Sequence, residues 1–223
     1  TFRKGLHNYL SKNAYGNATK FDLWNALDDE PRKEGKKIKA KEVASAWIDK
    51  KGYPIVKVQK DRKNAGFSLG QERFTTLGKS KGGIWPIPIT YFSYLAGNGR
   101  EARILLEKKN GIIKDEADWI KLNYGQKGFY RVKYEKEMLE KLGKAYRDGI
   151  LDDADGCGIE GDLYNMLRAR IISLDDYLSF IKEYMMEPSY PLNMQIAGHI
   201  MGLNNITYST EQNKKIKELG LLY

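Results

Sequence analysis

The stretch WIKLNYGQKGFYRVKY, from Trp119 to Tyr134, marks the point where the pattern of the sequence changes. Short alternating runs separated by Gly, Pro and Asn precede it, and such runs predict β-strands. Almost continuous helical periods follow it. Within the stretch, Tyr130, Val132 and Tyr134 alternate with two basic residues, as the two faces of a half-buried strand require. We therefore predict that it contains the last strand of a β domain, which an α domain follows.

The composition is that of a folded globular protein, since 41% of the 223 residues are hydrophobic and 30% are charged. Apolar runs of about 18 residues do not occur, so the sequence predicts no membrane-spanning helix and no membrane partner. The start, TFRKGLHNYL, lacks both an initiator Met and a signal-peptide pattern, so we expect a chain that begins inside a longer gene product. The single cysteine, Cys157, favours a reducing compartment, and we predict a cytoplasmic location.

The net charge of +9 and the pI of about 9.3 raise the question of nucleic-acid binding. Lysines are nevertheless scattered through every segment and accompanied by acids, with denser patches only at residues 32–41 and 214–217. A solvated, lysine-rich surface is therefore favoured, and nucleic acid is the less favoured partner.

The periodicity divides the chain into three parts and predicts an α+β multidomain fold. Residues 1–52 predict short amphipathic helices, residues 53–134 an antiparallel β-sandwich, and residues 135–223 α-hairpins that stack as in a superhelical domain. A fixed sequence period, which a strict solenoid requires, is missing. Pro86 and Pro88 cannot donate to a ladder, so their strand is expected at a sheet edge or with a bulge.

Several local patterns predict turns and helix ends. The charged residues 28–37, with Pro31 and Gly35, predict an exposed loop. Ser173, with an Asp three residues later, predicts a helix start with a capping box. The acids of residues 152–155 favour a helix N-terminus over a calcium loop, because the ligand spacing is wrong and no closing Glu follows.

Motifs that carry chemistry are missing from the sequence. We find no H-E-x-x-H, no G-x-x-x-x-G-K, no G-x-S-x-G and no paired cysteines. The two histidines, His7 and His199, are far apart, which argues against a histidine-based metal site. Cys157 has no nearby cation to activate it, so a packed side chain is favoured over a reactive thiol. We therefore predict no catalytic, cofactor-binding or metal-binding residue in this chain.

Aromatic residues and glycines fit structural roles as well. Trp24, Trp47, Trp85 and Trp119 each lie in an apolar stripe or strand, which favours core packing over a binding groove. Residues 97–99, GNG, predict a hairpin turn, because no helix follows to make a phosphate loop.

Five segments in a fixed order resemble a known family. They are FRKGLHNYLSKNAYGNATKFDLWNAL (Phe2–Leu27), VASAWIDKKGYPIVKV (Val43–Val58), QERF (Gln71–Phe74), WPIPI (Trp85–Ile89) and WIKLNYGQKGFYRVKY. The order and spacing resemble the carboxy-terminal half of the aminopeptidase N-like zinc metallopeptidases, the family of puromycin-sensitive aminopeptidase and the tricorn-interacting factors. The resemblance extends to about Asn205.

The resemblance implies a parent enzyme that removes amino-terminal residues from peptides with a zinc-activated water. In such enzymes two His of H-E-x-x-H and a downstream Glu hold the zinc, and these residues would lie upstream of Thr1. Residues 1–52 would be the end of a thermolysin-like catalytic domain, residues 53–134 a spacer sandwich, and residues 135–223 part of a helical lid. Peptide substrate would be bound through the full-length enzyme, with the upstream catalytic domain or chain as partner.

Three places in the sequence bear on this resemblance. The family usually has Asp-Arg where this chain has Asp155-Gly156, so a role for that arginine does not carry over. Arg131 is expected to brace the junction between sandwich and helices. Asp162 matches a position in an early helix of the family's helical domain.

A second hypothesis comes from another class of protein. The chain would then be a stand-alone, non-enzymatic adaptor whose helical surface binds a protein or, given the charge, nucleic acid. Binding to nucleic acid would weaken steeply with salt.

Overall fold

The structure of the chain is a computed structural model that describes residues 2–33, 35, 39–77, 82–185 and 189–220. The first helices are α1 (Phe2–Lys12), α2 (Lys20–Lys33) and α3 (Ala40–Ile48). The strands are β1 (Pro54–Asp61), β2 (Gly66–Arg73), β3 (Ile87–Leu95), β4 (Asn98–Leu106), β5 (Asn110–Ile113), β6 (Trp119–Leu122) and β7 (Arg131–Tyr134). The later helices are α4 (Lys136–Arg147), α5 (Asp153–Arg168), α6 (Leu174–Tyr184), α7 (Tyr190–Thr207) and α8 (Gln212–Gly220).

The strands form two sheets, with orders β5-β2-β1-β7 and β4-β3-β6. The predicted sandwich followed by helices is confirmed. The pairing of β1 with β7 differs from the prediction, because it is parallel, with Ile55 opposite Arg131 and Val58 opposite Tyr134. The other pairs of the two sheets are antiparallel. A parallel pair requires a long crossover, and here the crossover contains the whole second sheet.

The proline-containing strand lies elsewhere than predicted. β3 is the central strand of its sheet, between β4 and β6, and its register with β4 is continuous, so the prediction of an edge position or a bulge was wrong. β6 pairs only with residues 91–94 of β3. Pro88 lies outside this overlap, opposite Leu105 of β4. The backbone nitrogen of Pro88, which carries no hydrogen, therefore faces the side on which the described sheet has no partner strand at this position. No ladder hydrogen bond is lost there, so the strand tolerates the proline.

The sandwich and the later helices share a single apolar core. Side chains of β1 and β3, such as Val56 and Ile89, are fully buried between the sheets. All four residues of β6 are buried, because one face of the strand meets the sandwich and α4 packs against β6 as well. The buried cluster continues through α4, α5, α6 and α7 to Leu219 of α8. Trp85 and Trp119 belong to it, as predicted for packed tryptophans.

The N-terminal helices bury much less. Of the residues predicted to form an exposed loop, 28–33 instead complete α2, and Asp28, Glu30 and Pro31 are buried. Residues 34, 36 and 37 of the predicted loop lie outside the described residues. The carboxylate of Asp28 accepts a hydrogen bond from Ala40 N at 2.6 Å, at the first turn of α3. Asp28 is thus buried because its carboxylate accepts a hydrogen bond from a free backbone N–H at the start of α3. The charged character of the segment does not indicate this contact.

α5 and α6 begin where the sequence predicted helix N-termini. Ser173 and Asp176 form a complete capping box before α6. Asp152 precedes α5, and its side chain accepts a hydrogen bond from Asp155 N at 2.9 Å. The acids of residues 152–155 therefore mark a helix N-terminus, as predicted. Asp155 has a further role that the sequence did not reveal.

A buried ion pair joins the second sheet to α5. Lys121 Nζ lies 3.1 Å from Asp155 Oδ1, with the two side chains 2% and 0% exposed. Lys121 also donates to Leu122 O, and Asp155 Oδ1 accepts from Gly125 N. The cost of burial lowers the pKa of Lys121, although the charge of Asp155 opposes this effect. Removing one member of such a pair leaves an uncompensated charge in the core.

A second pair joins the first sheet to the same helix. Arg131 Nη1 lies 3.1 Å from Asp162 Oδ1, and Val132 N donates to Asp162 Oδ2 at 2.8 Å. Arg131 therefore braces the junction, as predicted. Burial raises the pKa of Asp162 to about 6, because desolvation outweighs the hydrogen bond from Val132 and the charge of Arg131.

We expect the substitution Lys121→Met to lower the free energy of unfolding by about 3 to 5 kcal/mol, because Asp155 would remain charged and buried. Combining it with Asp155→Leu should recover most of this loss, since no buried charge remains. Urea unfolding of the two single variants and the double variant measures the coupling. Lys57→Met is the control, because Lys57 pairs with Glu72 at 2.8 Å on the surface and should cost at most about 1 kcal/mol. Equal losses for Lys121→Met and Lys57→Met would contradict the expectation.

We expect Asp162 to make stability depend on pH. Its folded-state pKa of about 6 lies above the ordinary value of 3.8, so the folded state binds the additional proton between these values. The free energy of unfolding therefore falls as the pH rises through this window. Relative to Asp162→Asn, the parent chain should lose up to about 3 kcal/mol between about pH 4 and pH 7.

Denaturant unfolding of both chains across that range provides the measurement. Asp176→Asn is the matched control, because hydrogen bonds from Ser173 lower the pKa of Asp176. The contribution of Asp176 is lost as the pH falls, so its difference curve has the opposite sign. A flat difference curve for Asp162→Asn would show that this carboxyl titrates normally.

Candidate functional site

A cavity of about 470 Å³ lies where the sandwich meets the helices, and we call it the junction cavity. On the sandwich side it is lined by Tyr53, by the 3-10 turn after β6 and by residues 128–131. On the helical side it is lined by α5 and α7. Its position follows from the fold, because the Arg131–Asp162 pair holds α5 against the end of β7.

A fully buried carboxylate lies behind the helical wall. Glu160 is 0% exposed and accepts hydrogen bonds from Tyr177 Oη at 2.5 Å and from Gln195 Nε2. His199 Nδ1 lies 2.7 Å from the same carboxylate. Gln195 Nε2 also donates to Cys157 O at 2.8 Å. Three donors thus compensate the charge of Glu160, and two of them belong to residues that line the cavity.

The ring of His199 is held in one orientation. It stacks on Tyr164, with ring centroids 3.6 Å apart and planes inclined by 9°. Because a carboxylate only accepts hydrogen bonds, Nδ1 is the donor to Glu160. Nε2 is therefore the ring nitrogen that remains for contact with a molecule in the cavity.

The remaining lining is rich in amides and glycines. Asn123, Gln126, Asn165 and Gln195 contribute side-chain amides. Asn165 Nδ2 donates to Gly161 O at 2.7 Å, which fixes its orientation. Arg131 is paired with Asp162, and the carboxylate of Glu160 accepts hydrogen bonds from Tyr177, Gln195 and His199. The cavity can therefore offer hydrogen bonds in fixed directions, and the one cation among the described residues of its lining, Arg131, is paired with an acid.

Cys157 also lines the cavity. Burial raises the pKa of its thiol, and the charges of Asp153 and Glu160 act in the same direction. The side chain is thus a thiol rather than a thiolate, and weakly nucleophilic. This agrees with the predicted packing role.

The sequence did not reveal the group around Glu160. One signal was present, because Gln195 and His199 are four residues apart and share a face of α7. Glu160 lies 39 residues before His199, and only the packing of α5 against α7 brings them together. His7 lies on exposed α1.

The structure bears on metal and membrane binding through two observations. Among the residues that it describes, no three or more His, Cys, Asp or Glu side chains are grouped so that they could hold a metal ion. None of the described helices combines the length and the apolar character that crossing a membrane requires.

Comparison with known proteins agrees with the architecture. Residues 119–222 match the model of the ERAP1-like C-terminal domain. The match begins at β6 and includes β7 and the helices that follow. It therefore contains both ion pairs of the junction and the group around Glu160.

Relatives match over most of the chain. Tricorn protease-interacting factor F2 of Thermoplasma acidophilum is 36% identical over 202 residues, which cover 91% of this chain and 24% of the relative. Aminopeptidase M1-B of Oryza sativa is 31% identical, with 98% and 26% covered. Probable aminopeptidase 2 of Sulfurisphaera tokodaii is 35% identical, with 85% and 22% covered. The chain spans about a quarter of the length of these curated relatives. Over most of its length the chain is therefore similar to a C-terminal part of the M1 aminopeptidases, the part that includes the ERAP1-like domain.

Proposed function

We propose that the chain is the non-catalytic portion of a zinc-dependent aminopeptidase that removes N-terminal residues from peptides. The sandwich acts as a spacer, and the helices form part of the wall of the chamber that holds the peptide. The observation that carries this proposal is the match of residues 119–222 to the ERAP1-like C-terminal domain, in a chain whose relatives include aminopeptidases about four times as long.

The residues that the structure describes do not fit the catalytic zinc. His199 Nδ1 is engaged by Glu160, and His7 lies on an exposed helix without a second histidine in its sequence neighbourhood. The described residues also lack a suitable cluster of ligands. We therefore propose that a catalytic domain outside this sequence supplies the zinc ligands and is the partner of this chain. Peptide is the substrate of the whole enzyme.

The proposed domain boundaries follow the same scheme. Residues 1–52 are the end of the catalytic domain, residues 53–134 the sandwich and residues 135–223 the first part of the helical domain. Exposed apolar side chains on the first helices support the first boundary, since Phe2 is 67% exposed, Leu10 59% and Phe21 46%. Such side chains are expected where a further domain covers them. We also propose a cytoplasmic location, which the single cysteine supports.

We expect the purified chain to be inactive by itself. It should neither release fluorophore from aminoacyl aminomethylcoumarin substrates above the buffer rate nor retain stoichiometric zinc after purification without chelators. A longer protein from the same gene that includes H-E-x-x-H should cleave these substrates and lose the activity when zinc is removed. Zinc-dependent turnover by the chain alone would refute the non-catalytic assignment.

The adaptor hypothesis has a separate test, which the charge of +9 motivates. Fluorescence anisotropy with a labelled oligonucleotide measures binding at rising salt concentration. Since the proposed role needs no phosphate contacts, we expect no binding at physiological salt. Binding that persists there, with a logarithm of the association constant that falls linearly with the logarithm of the salt concentration, would favour a nucleic-acid adaptor.

A further inference from the structure

We propose that the junction cavity binds an extended segment of peptide through its main-chain amides. The inference rests on the proposed function, because the bound segment would belong to the peptide substrate of the whole aminopeptidase. This segment would lie away from the bond that the enzyme cleaves. It goes further by assigning a binding site to residues of this chain.

The size of the cavity suits such a ligand. A volume of about 470 Å³ lies within the range of roughly 300 to 1,000 Å³ that small-molecule sites occupy. It exceeds by far what one water or one ion requires. A short peptide segment fits a space of this kind.

The electrostatics favour a neutral polar ligand. Arg131 is paired with Asp162 at 3.1 Å, and His199 faces the carboxylate of Glu160 at 2.7 Å. A ligand with a net charge would meet no uncompensated opposite charge among these lining groups. Main-chain amides combine polarity with neutrality, which is the combination that the lining offers.

The side chains present acceptors in fixed positions. Gln195 is anchored through Nε2 to Glu160 and to Cys157 O, which leaves its Oε1 for a peptide N–H. Asn165 is anchored through Nδ2 to Gly161 O and leaves its Oδ1 in the same way. His199 adds Nε2 as a further polar atom, since Nδ1 is engaged by Glu160. These groups need little reordering when a ligand binds, which lowers the entropic cost of binding.

A glycine on α5 keeps the cavity open. A Cβ atom at Gly161 would have Gln195 Nε2 at 3.5 Å as its nearest neighbour, an ordinary contact. A larger side chain at this position therefore fits the helix and occupies the cavity. Gly198 on α7 provides a matched control, because a Cβ atom there meets nothing within 4 Å and Gly198 does not line the cavity.

The test uses the two histidines as reporters. Imidazole signals of the chain are followed by NMR while acetyl-tetraalanine-amide is added. We expect the signals of His199 to shift and saturate while those of His7, on exposed α1, stay unchanged. Gly161→Met should weaken the binding at least tenfold, and Gly198→Met should leave it within about twofold of the parent. Thermal unfolding verifies that both variants are folded.

Three results would overturn the proposal. They are equal binding by Gly161→Met and the parent, binding only of tetraalanine with a free carboxylate, and saturable shifts with maltotriose but not with the blocked peptide. These results are independent of the proposed function, whose test is hydrolysis by the longer protein. Failure of that hydrolysis with intact binding would refute the enzyme assignment, and hydrolysis without binding would refute only the role of the cavity.

Discussion

The arrangement of this chain depends on the two acids with which α5 contacts the sandwich. Asp155 and Asp162 are seven residues apart, so they lie two turns apart on one face of the helix. Asp155 pairs with Lys121 of β6, and Asp162 pairs with Arg131 of β7. Each acid therefore fixes α5 to a different sheet. Since a buried pair often adds little net stability over apolar packing, we infer that these pairs chiefly define where the helix sits.

The same helix carries a third acid that faces another way. Glu160 contacts α6 through Tyr177 and α7 through Gln195 and His199. α5 is thus bound to the sandwich on one side and to the next helices on the other. The junction cavity lies between these two sets of contacts. Any rotation of α5 would have to break its ion pairs with the sandwich and the hydrogen bonds of Glu160 to α6 and α7. The position of α5, and with it the shape of the cavity, is therefore fixed from both sides.

Sequence patterns predicted the parts of the structure that local forces determine. Alternation predicted the strands, the Ser173 capping box predicted the start of α6, and the order of motifs predicted the family. Long-range contacts were not predictable in this way. From the sequence, Asp28 is expected in an exposed loop, but α3 packs beside it. Glu160 would be expected on a helix surface, but α7 covers it. The parallel pairing of β7 was missed because alternation reports the exposed face of a strand and gives no information about its neighbour or direction.

The parallel pairing of β1 with β7 has a consequence for the order in which the chain can fold. The pairing of Ile55 with Arg131 completes the first sheet. Because the two residues are far apart in the sequence, forming this contact has a high loop-closure cost. During synthesis, β1 and β2 emerge early and expose an unpaired edge until β7 leaves the ribosome. Exposed edges pair readily with other chains. Cleavage between the two strands would remove the covalent link between β1 and β7, and only the ladder, the ion pairs of α5 and the shared core would then hold the helical part to β1.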